Sequence, residues 1–210
     1  MVLKSGASTD QLTIDPVSKA ARVTLYDSDG REAHPPKAYA ISSFFTPAAT
    51  PNNLVTITGS ATKTIKVYSM WIYTQTTAAG SVQFFLKKYS TAATPGVFVS
   101  AGTPVPLDSA DAAATAVVGH YTTDPTPGTL VGTIRAVTIA TPVLRPATPA
   151  GIIELSGVDM IHGSQIGAAG FGVTCPVTLR GTAQYLAIDF NDVALVAGQV
   201  HQYSVSWTEE

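Results

Sequence analysis

Lys63-Thr64-Ile65-Lys66-Val67-Tyr68-Ser69-Met70-Trp71-Ile72-Tyr73-Thr74 is the stretch whose reading decides the fold. Apolar side chains recur at every second position, the spacing of a β-strand. Ile65, Val67, Trp71 and Tyr73 are expected on one face, and Tyr68, Met70 and Ile72 on the other. Both faces are apolar toward the end, as for a strand in the middle of a packed sandwich or under a neighbouring subunit. Thr76-Thr77-Ala78-Ala79-Gly80 then leads into residues 81–89, where Val82, Phe84 and Leu86 share a face. The two strands are expected to form a long antiparallel hairpin.

Outward from this pair the same period continues. Tyr39, Ile41 and Ser43 alternate with Ala40, Ser42 and Phe44, and Leu54-Val55-Thr56-Ile57-Thr58 ends at Gly59-Ser60. Further strands are expected at residues 96–100, 130–139, 151–155, 175–182, 184–190 and 199–207. Proline-rich breaks at Pro104, Pro106, Pro125, Pro127, Pro142, Pro146 and Pro149 separate several of them. Residues 108–118 read either as a helix, which Asp108 or Ser109 would cap and the alanines favour, or as a loop, since Thr115, Val117 and Val118 oppose a helix. Many short strands between turn signals give an all-β, antiparallel two-sheet sandwich, with a jelly roll as the expected form.

Toward the N-terminus, residues 1–10 are small and polar. Residues 12–15 and 21–26 alternate as half-buried strands do, and Asp29-Gly30 signals a tight turn. Ala33-His34-Pro35-Pro36 breaks regular structure, so the expected organisation is an N-terminal arm and hairpin over residues 1–36 and a β-sandwich domain over residues 37–210.

Composition narrows the function. Of 210 residues only 12% are charged, about half the ~25% usual for soluble domains. Thr, Ser, Ala and Gly must therefore cover much of the surface, which fits burial between subunits in a homo-oligomer or lattice. The net charge of −2 and the single adjacent basic pair, Lys87-Lys88, give no basic face for nucleic acid. No apolar run approaches the ~20 residues of a membrane span. The first residues, Met1 to Gly6, lack the apolar core of a signal peptide, so synthesis and assembly in a cytoplasm are expected. Cys175, the one cysteine, cannot form an intrachain disulfide and is expected to be a small buried side chain beside Pro176.

No catalytic, cofactor-binding or metal-binding residues are assigned. His34, His120, His162 and His201 lack the spacing of a zinc site, and His201 falls in an alternating strand with Tyr203, Val205 and Trp207. Asp27-Ser28-Asp29-Gly30 resembles the opening of a calcium loop without its remaining oxygens, and reads as a turn. Asp108 and Asp111 are another close pair. The glycine-rich residues 163–172 lack the Lys-Ser/Thr of a phosphate loop, and Ser164 lies in no nucleophile elbow, so a surface or contact loop is expected. Trp71, Tyr73, Phe84, Phe85 and Tyr89 could form a platform for sugar rings, but alternation with Val and Ile favours core packing.

Residues 12–27, Leu12-Thr13-Ile14-Asp15-Pro16-Val17-Ser18-Lys19-Ala20-Ala21-Arg22-Val23-Thr24-Leu25-Tyr26-Asp27, resemble the start of small structural virion proteins of tailed bacteriophages. So do His120-Tyr121-Thr122-Thr123-Asp124-Pro125-Thr126 with Leu130-Val131-Gly132, and the closing Val205-Ser206-Trp207-Thr208-Glu209-Glu210. The resemblance implies a virion component: a capsid decoration, neck or collar protein, or a tail or fibre element. It carries no site residues across. The expectation is a non-enzymatic virion protein, assembled in the host cytoplasm. It would be oligomeric (a trimer, by analogy with other such jelly rolls) and anchored by its N-terminal arm to capsid, neck or tail proteins. The alternative is a carbohydrate-binding module or receptor-binding fibre element that recognises host surface glycans. An enzyme rests only on unplaced carboxylates.

Overall fold

The computed structural model describes residues 12–14, 21–23, 36–46, 53–75, 80–94, 96–141, 156–161, 175–190 and 199–210. The chain divides into two compact units, Met1–Pro36 and Lys37–Glu210. In the first, β1 (Leu12–Ile14) and β2 (Ala21–Val23) pair antiparallel, with Leu12 opposite Val23 and Ile14 opposite Ala21.

The second unit is an all-β sandwich built from β3 (Lys37–Phe45), β4 (Asn53–Thr58), β5 (Thr64–Gln75), β6 (Gly80–Tyr89), β7 (Val97–Ser100), β8 (Val105–Pro106), β9 (Val117–Thr123), β10 (Leu130–Thr141), β11 (Ser156–Asp159), β12 (Val177–Arg180), β13 (Tyr185–Asp189) and β14 (Val200–Glu209). One sheet runs β10-β6-β13-β4-β9-β7 and the other β11-β5-β14-β3-β8, all antiparallel. β11 and β12 lie end to end on the edge of β5 away from β14, against residues 71–74 and 64–67. The chain crosses between the sheets from β3 through β6, from β7 through β9, from β10 to β11 and from β12 through β14, whereas β6 and β7, β9 and β10, and β11 and β12 share a sheet.

The inner faces meet in one continuous core. β5 and β14 supply Ile65, Val67, Met70, Ile72, Tyr203, Val205 and Trp207, and β4, β6 and β13 supply Val55, Ile57, Phe84, Leu86, Leu186 and Ile188. At ~1.5–3 kcal/mol for each large apolar side chain removed from water, this core dominates the stability of the unit. Arg135 on β10 joins the two sheets at one end: its Nε and Nη2 donate to the carbonyls of Met160 and Ile161, at 3.1 and 3.3 Å. Lys88 on β6 does the same across the sandwich, its Nζ donating to the Thr178 carbonyl at 2.8 Å.

Several sequence expectations are corrected. The first is the hairpin. β5 pairs with β14, β11 and β12, whereas β6 pairs with β10 and β13, so the chain passes from one sheet to the other between them. Each strand has its own apolar face, and facing sheets let both bury it in one core. The second is the phase of β5. Opposite β14 the register jumps between Ser206 with Ser69 and Trp207 with Val67, leaving Tyr68 as the extra residue of a bulge. A single inserted residue reverses the facing of everything beyond it. Ile65 and Val67 therefore share the inner face with Met70 and Ile72, and Trp71 and Tyr73 point outward.

Residues 108–118, read as either helix or loop, form no helix. Asp108 makes a turn, its Oδ1 accepting from the Ala110 N–H at 2.9 Å and its carbonyl from the Asp111 N–H at 3.0 Å, and β9 begins at Val117. The short polar side chain of Asp108 competes for backbone donors that a helix would need. Strands β8 and β9 had no counterpart in the sequence reading. Cys175 is exposed rather than buried, because it sits in the bend two residues before β12 begins. The strand expected at residues 151–155 lies outside the described residues.

Candidate functional site

Three groupings bring polar or aromatic side chains together. Two are built into the fold, and the third lies on its surface.

The first is an aromatic and histidine cluster between the sheets. β3 contributes Phe45, β9 His120, β6 Phe84, and β14 both His201 and Tyr203, with Phe190 just beyond β13. Phe45 stacks on His120 at 4.9 Å and on His201 at 5.4 Å between ring centroids. Phe84 and Phe190 pack on His201 from the other sheet at 6.1 and 5.1 Å. His201 is 0% exposed, its Nε2 lies 3.2 Å from Gln199 Oε1, and burial pulls its pKa down to about 4. Burial also lowers that of His120. Tyr203 is pushed up to about 12 by the same loss of water. Burial favours the uncharged forms of His120, His201 and Tyr203, which is how a core tolerates polar rings. The fold thus joins two histidines that are far apart in sequence. Among the described residues, however, no group of three His, Cys, Asp or Glu side chains is placed to hold a metal.

The second grouping closes the last strand. Glu209, buried at the end of β14, accepts from the Thr115 and Ala116 N–H groups, from Thr115 Oγ1 at 2.7 Å and from Trp207 Nε1 at 3.1 Å. Burial alone would raise its pKa, but these donors outweigh it and hold the carboxyl below its ordinary value. Beside it Tyr39 stacks on Trp207 and donates to the Ala112 carbonyl. Asp111 lies 3.7 Å from Lys37. The carboxylate is committed to backbone, hydroxyl and indole donors, so the geometry is that of a clasp.

The third is on the outer face of the β5 sheet. Trp71 and Tyr73 lie there partly exposed, with rings nearly parallel at 12° and centroids 5.7 Å apart. Gly157 on β11 stands opposite Tyr73, and the ring occupies the space a Cβ would take. On the other side β14 places Gln202 beside Tyr73, Ser204 beside Trp71 and Ser206 beside Ser69. β3 continues these rows with Phe44, Ser42 and Ala40. Asp159, opposite Trp71, is buried and accepts from Ser69 Oγ, Met70 N–H and Ile161 N–H.

Of the aromatics weighed in the sequence, Phe84 is in the core as expected. Tyr89 is buried on the outer side of its sheet, stacked on Tyr185 at 4.6 Å. Phe85 lies under Lys87 Nζ at 5.5 Å, and that ammonium pairs with Asp189 at 2.9 Å. Neither member of the basic pair Lys87-Lys88 is thus spread on a basic surface. His34, His162, Asp27, Asp29 and residues 163–172 lie outside the described residues. Sequence reading missed Glu209 and Asp159, because their partners are 94 and about 90 positions away. It also missed the surface position of Trp71 and Tyr73, which depends on the bulge.

No protein-family model matches the chain, nor does any curated protein or any solved structure.

Proposed function

We propose that the protein is a non-enzymatic structural component of a bacteriophage virion, a capsid decoration or head/neck protein. It works as an oligomer of its sandwich domain and is anchored through residues 1–36. The observation that carries this reading is the bare apolar edge formed by β7 and β8. These strands end the two sheets on the side where only residues 101–104 separate them. Val97 is 54%, Val105 62% and Leu107 66% exposed. Edge strands of proteins that stay apart are usually blunted by charge, proline or shortness. β7 (Val97-Phe98-Val99-Ser100) has neither charge nor proline, whereas β8 (Val105-Pro106) is two residues long and contains a proline but no charge. β7 therefore suits strand pairing, and the β8 side suits apolar contact, with a neighbouring subunit.

The wiring adds weight. With β7–β9 set aside as an insertion, β3-β14-β5-β11/β12 faces β4-β13-β6-β10, and the chain crosses between them at every step except from β6 to β10 and from β11 to β12. That wiring supports a jelly-roll reading, an architecture of viral capsid domains. Glu209, Asp159 and Asp189 are each engaged by donors or a cation within the fold, as structural carboxylates are. The second reading, glycan recognition, is favoured by one observation only, the outward Trp71–Tyr73 pair.

Light scattering on the full chain tests the main proposal. A closed oligomer, a trimer by expectation, that binds purified phage particles lacking it is the predicted result. A monomer that leaves such particles bare overturns it.

A further inference from the structure

We propose that the outer face of the β5–β14–β3 sheet is a binding platform for uncharged oligosaccharides. This develops the second reading above and does not depend on the assembly proposal, since it uses a sheet face rather than the β7/β8 edge.

The argument begins with the bulge at Tyr68. Without it, Trp71 and Tyr73 would follow Ile65 and Val67 into the core. With it, the core receives Met70 and Ile72, and two large rings are turned to solvent. Bulges that re-aim side chains are found next to working sites. Tyr73 also settles across Gly157, the one residue type that leaves room for a ring lying low against the strand. The two parallel rings thus form a low shelf on the sheet.

Around the shelf the register fixes a grid. Rows Tyr73–Gln202–Phe44, Trp71–Ser204–Ser42 and Ser69–Ser206–Ala40 lie side by side, roughly 7 Å apart along the strands, with neighbouring strands about 4.8 Å apart. The floor beside the aromatics therefore carries the hydroxyls of Ser204, Ser42, Ser69 and Ser206 and the Gln202 amide, each able both to donate and to accept, with Ala40 and the exposed Phe44 ending two of the rows. No charged side chain points out of these rows. Asp159 is buried and engaged by Ser69, Met70 and Ile161, and Lys66, further along β5, pairs with Glu210 at 2.6 Å. A pyranose ring has an apolar C–H face and a rim of hydroxyls. The shelf fits the face and the floor fits the rim. An anionic sugar would find no counter-charge here. A protein partner would be expected to meet an aliphatic surface such as the β7/β8 edge.

The test is affinity electrophoresis and calorimetry of the full chain against soluble glucans, galactans, mannans and chitin oligosaccharides, with hyaluronan and polysialic acid as anionic comparators. Retention by at least one neutral glycan is expected. Trp71→Ala should weaken it about tenfold or more, the size of a lost stacking contact. Ser204→Arg, which blocks the floor without touching the core, should do the same. Both variants should keep the parent's melting temperature and oligomeric state, and if Trp71→Ala fails to fold, Ser204→Arg decides alone. Failure of every neutral glycan, a preference for the anionic ones, or binding unchanged in the variants overturns the proposal. So does a change of oligomeric state in Ser204→Arg, which would make this face a subunit contact. A positive result stands whether or not the chain binds phage particles.

Discussion

Glu209 and His201 sit on the same strand, one held charged and the other neutral, and both make the fold lose stability on acidification. Glu209 is ionised in the core because four donors surround it: two N–H groups, a hydroxyl and the Trp207 indole. Glu209→Gln turns part of that acceptor into a donor facing donors, and should cost about 2–3 kcal/mol by urea denaturation at pH 7. The folded-state pKa lies below the ordinary value, so the contribution is present above the unfolded pKa and is lost as pH falls through the folded one. His201 is neutral in the fold, with its pKa lowered from 6.5 to about 4. The unfolded chain binds a proton below pH 6.5 that the folded chain refuses until about pH 4. Stability is therefore expected to fall by roughly 3 kcal/mol across that window as the solution is acidified. Urea midpoints measured at pH 7, 5.5 and 4.5 should show this decline in the parent. His201→Leu should show a shallower one, and equal slopes in the two proteins would refute the assignment.

At the scale of elements, the bulge in β5 is the feature on which most else turns. Tyr68 is outward and partly exposed, so Tyr68→Ala should change stability by no more than ~1 kcal/mol. Deletion of Tyr68 removes the extra residue itself. Ile65, Val67, Met70 and Ile72 then alternate without a break, so the deletion variant is expected to fold with the same side chains inward and to keep the parent's near-ultraviolet circular dichroism. An insoluble or molten deletion variant would mean that the bulge does more than set the phase of β5. The same element shows where sequence reading stops. Alternation identified β5, β6, β13 and β14 as strands, because a half-buried strand has to alternate. It could not place the bulge, since both faces near Trp71 are apolar and either phase satisfies the period. It also joined β5 to β6 as a hairpin, because sequential strands usually pair. The choice between pairing and crossing to the facing sheet is made by β14 and β10, far along the chain. Glu209 and Asp159 were illegible for the same reason: nothing near them in sequence marks their partners. The surface character of the third grouping was only half legible, as aromatic residues without a side.

For the whole molecule, the sparse charge of the sequence is matched by sparse ion pairing among the described residues: Lys87 with Asp189, Lys66 with Glu210 and Lys37 with Asp111. Neither β7 nor β8 carries a charged residue, so association through the β7/β8 edge has to be apolar. That distinguishes it experimentally. An interface held by ion pairs loosens as salt is raised past the point where the Debye length falls below ~5 Å, whereas an apolar one does not. Sedimentation of the full chain is therefore expected to give the same oligomer at low and at high sodium chloride. The double substitution Val97→Lys, Val105→Lys places two ammonium groups on the edge, as proteins with free edges commonly do. Both positions are exposed and contribute little to the core, so the melting temperature should stay close to the parent's while the oligomer dissociates to monomers. If the variant remains assembled, the contact lies elsewhere and the β7/β8 edge is not the subunit interface. If it dissociates only at low salt, the added charges act by repulsion across a contact that apolar burial still holds together, and the edge remains the interface with its affinity weakened.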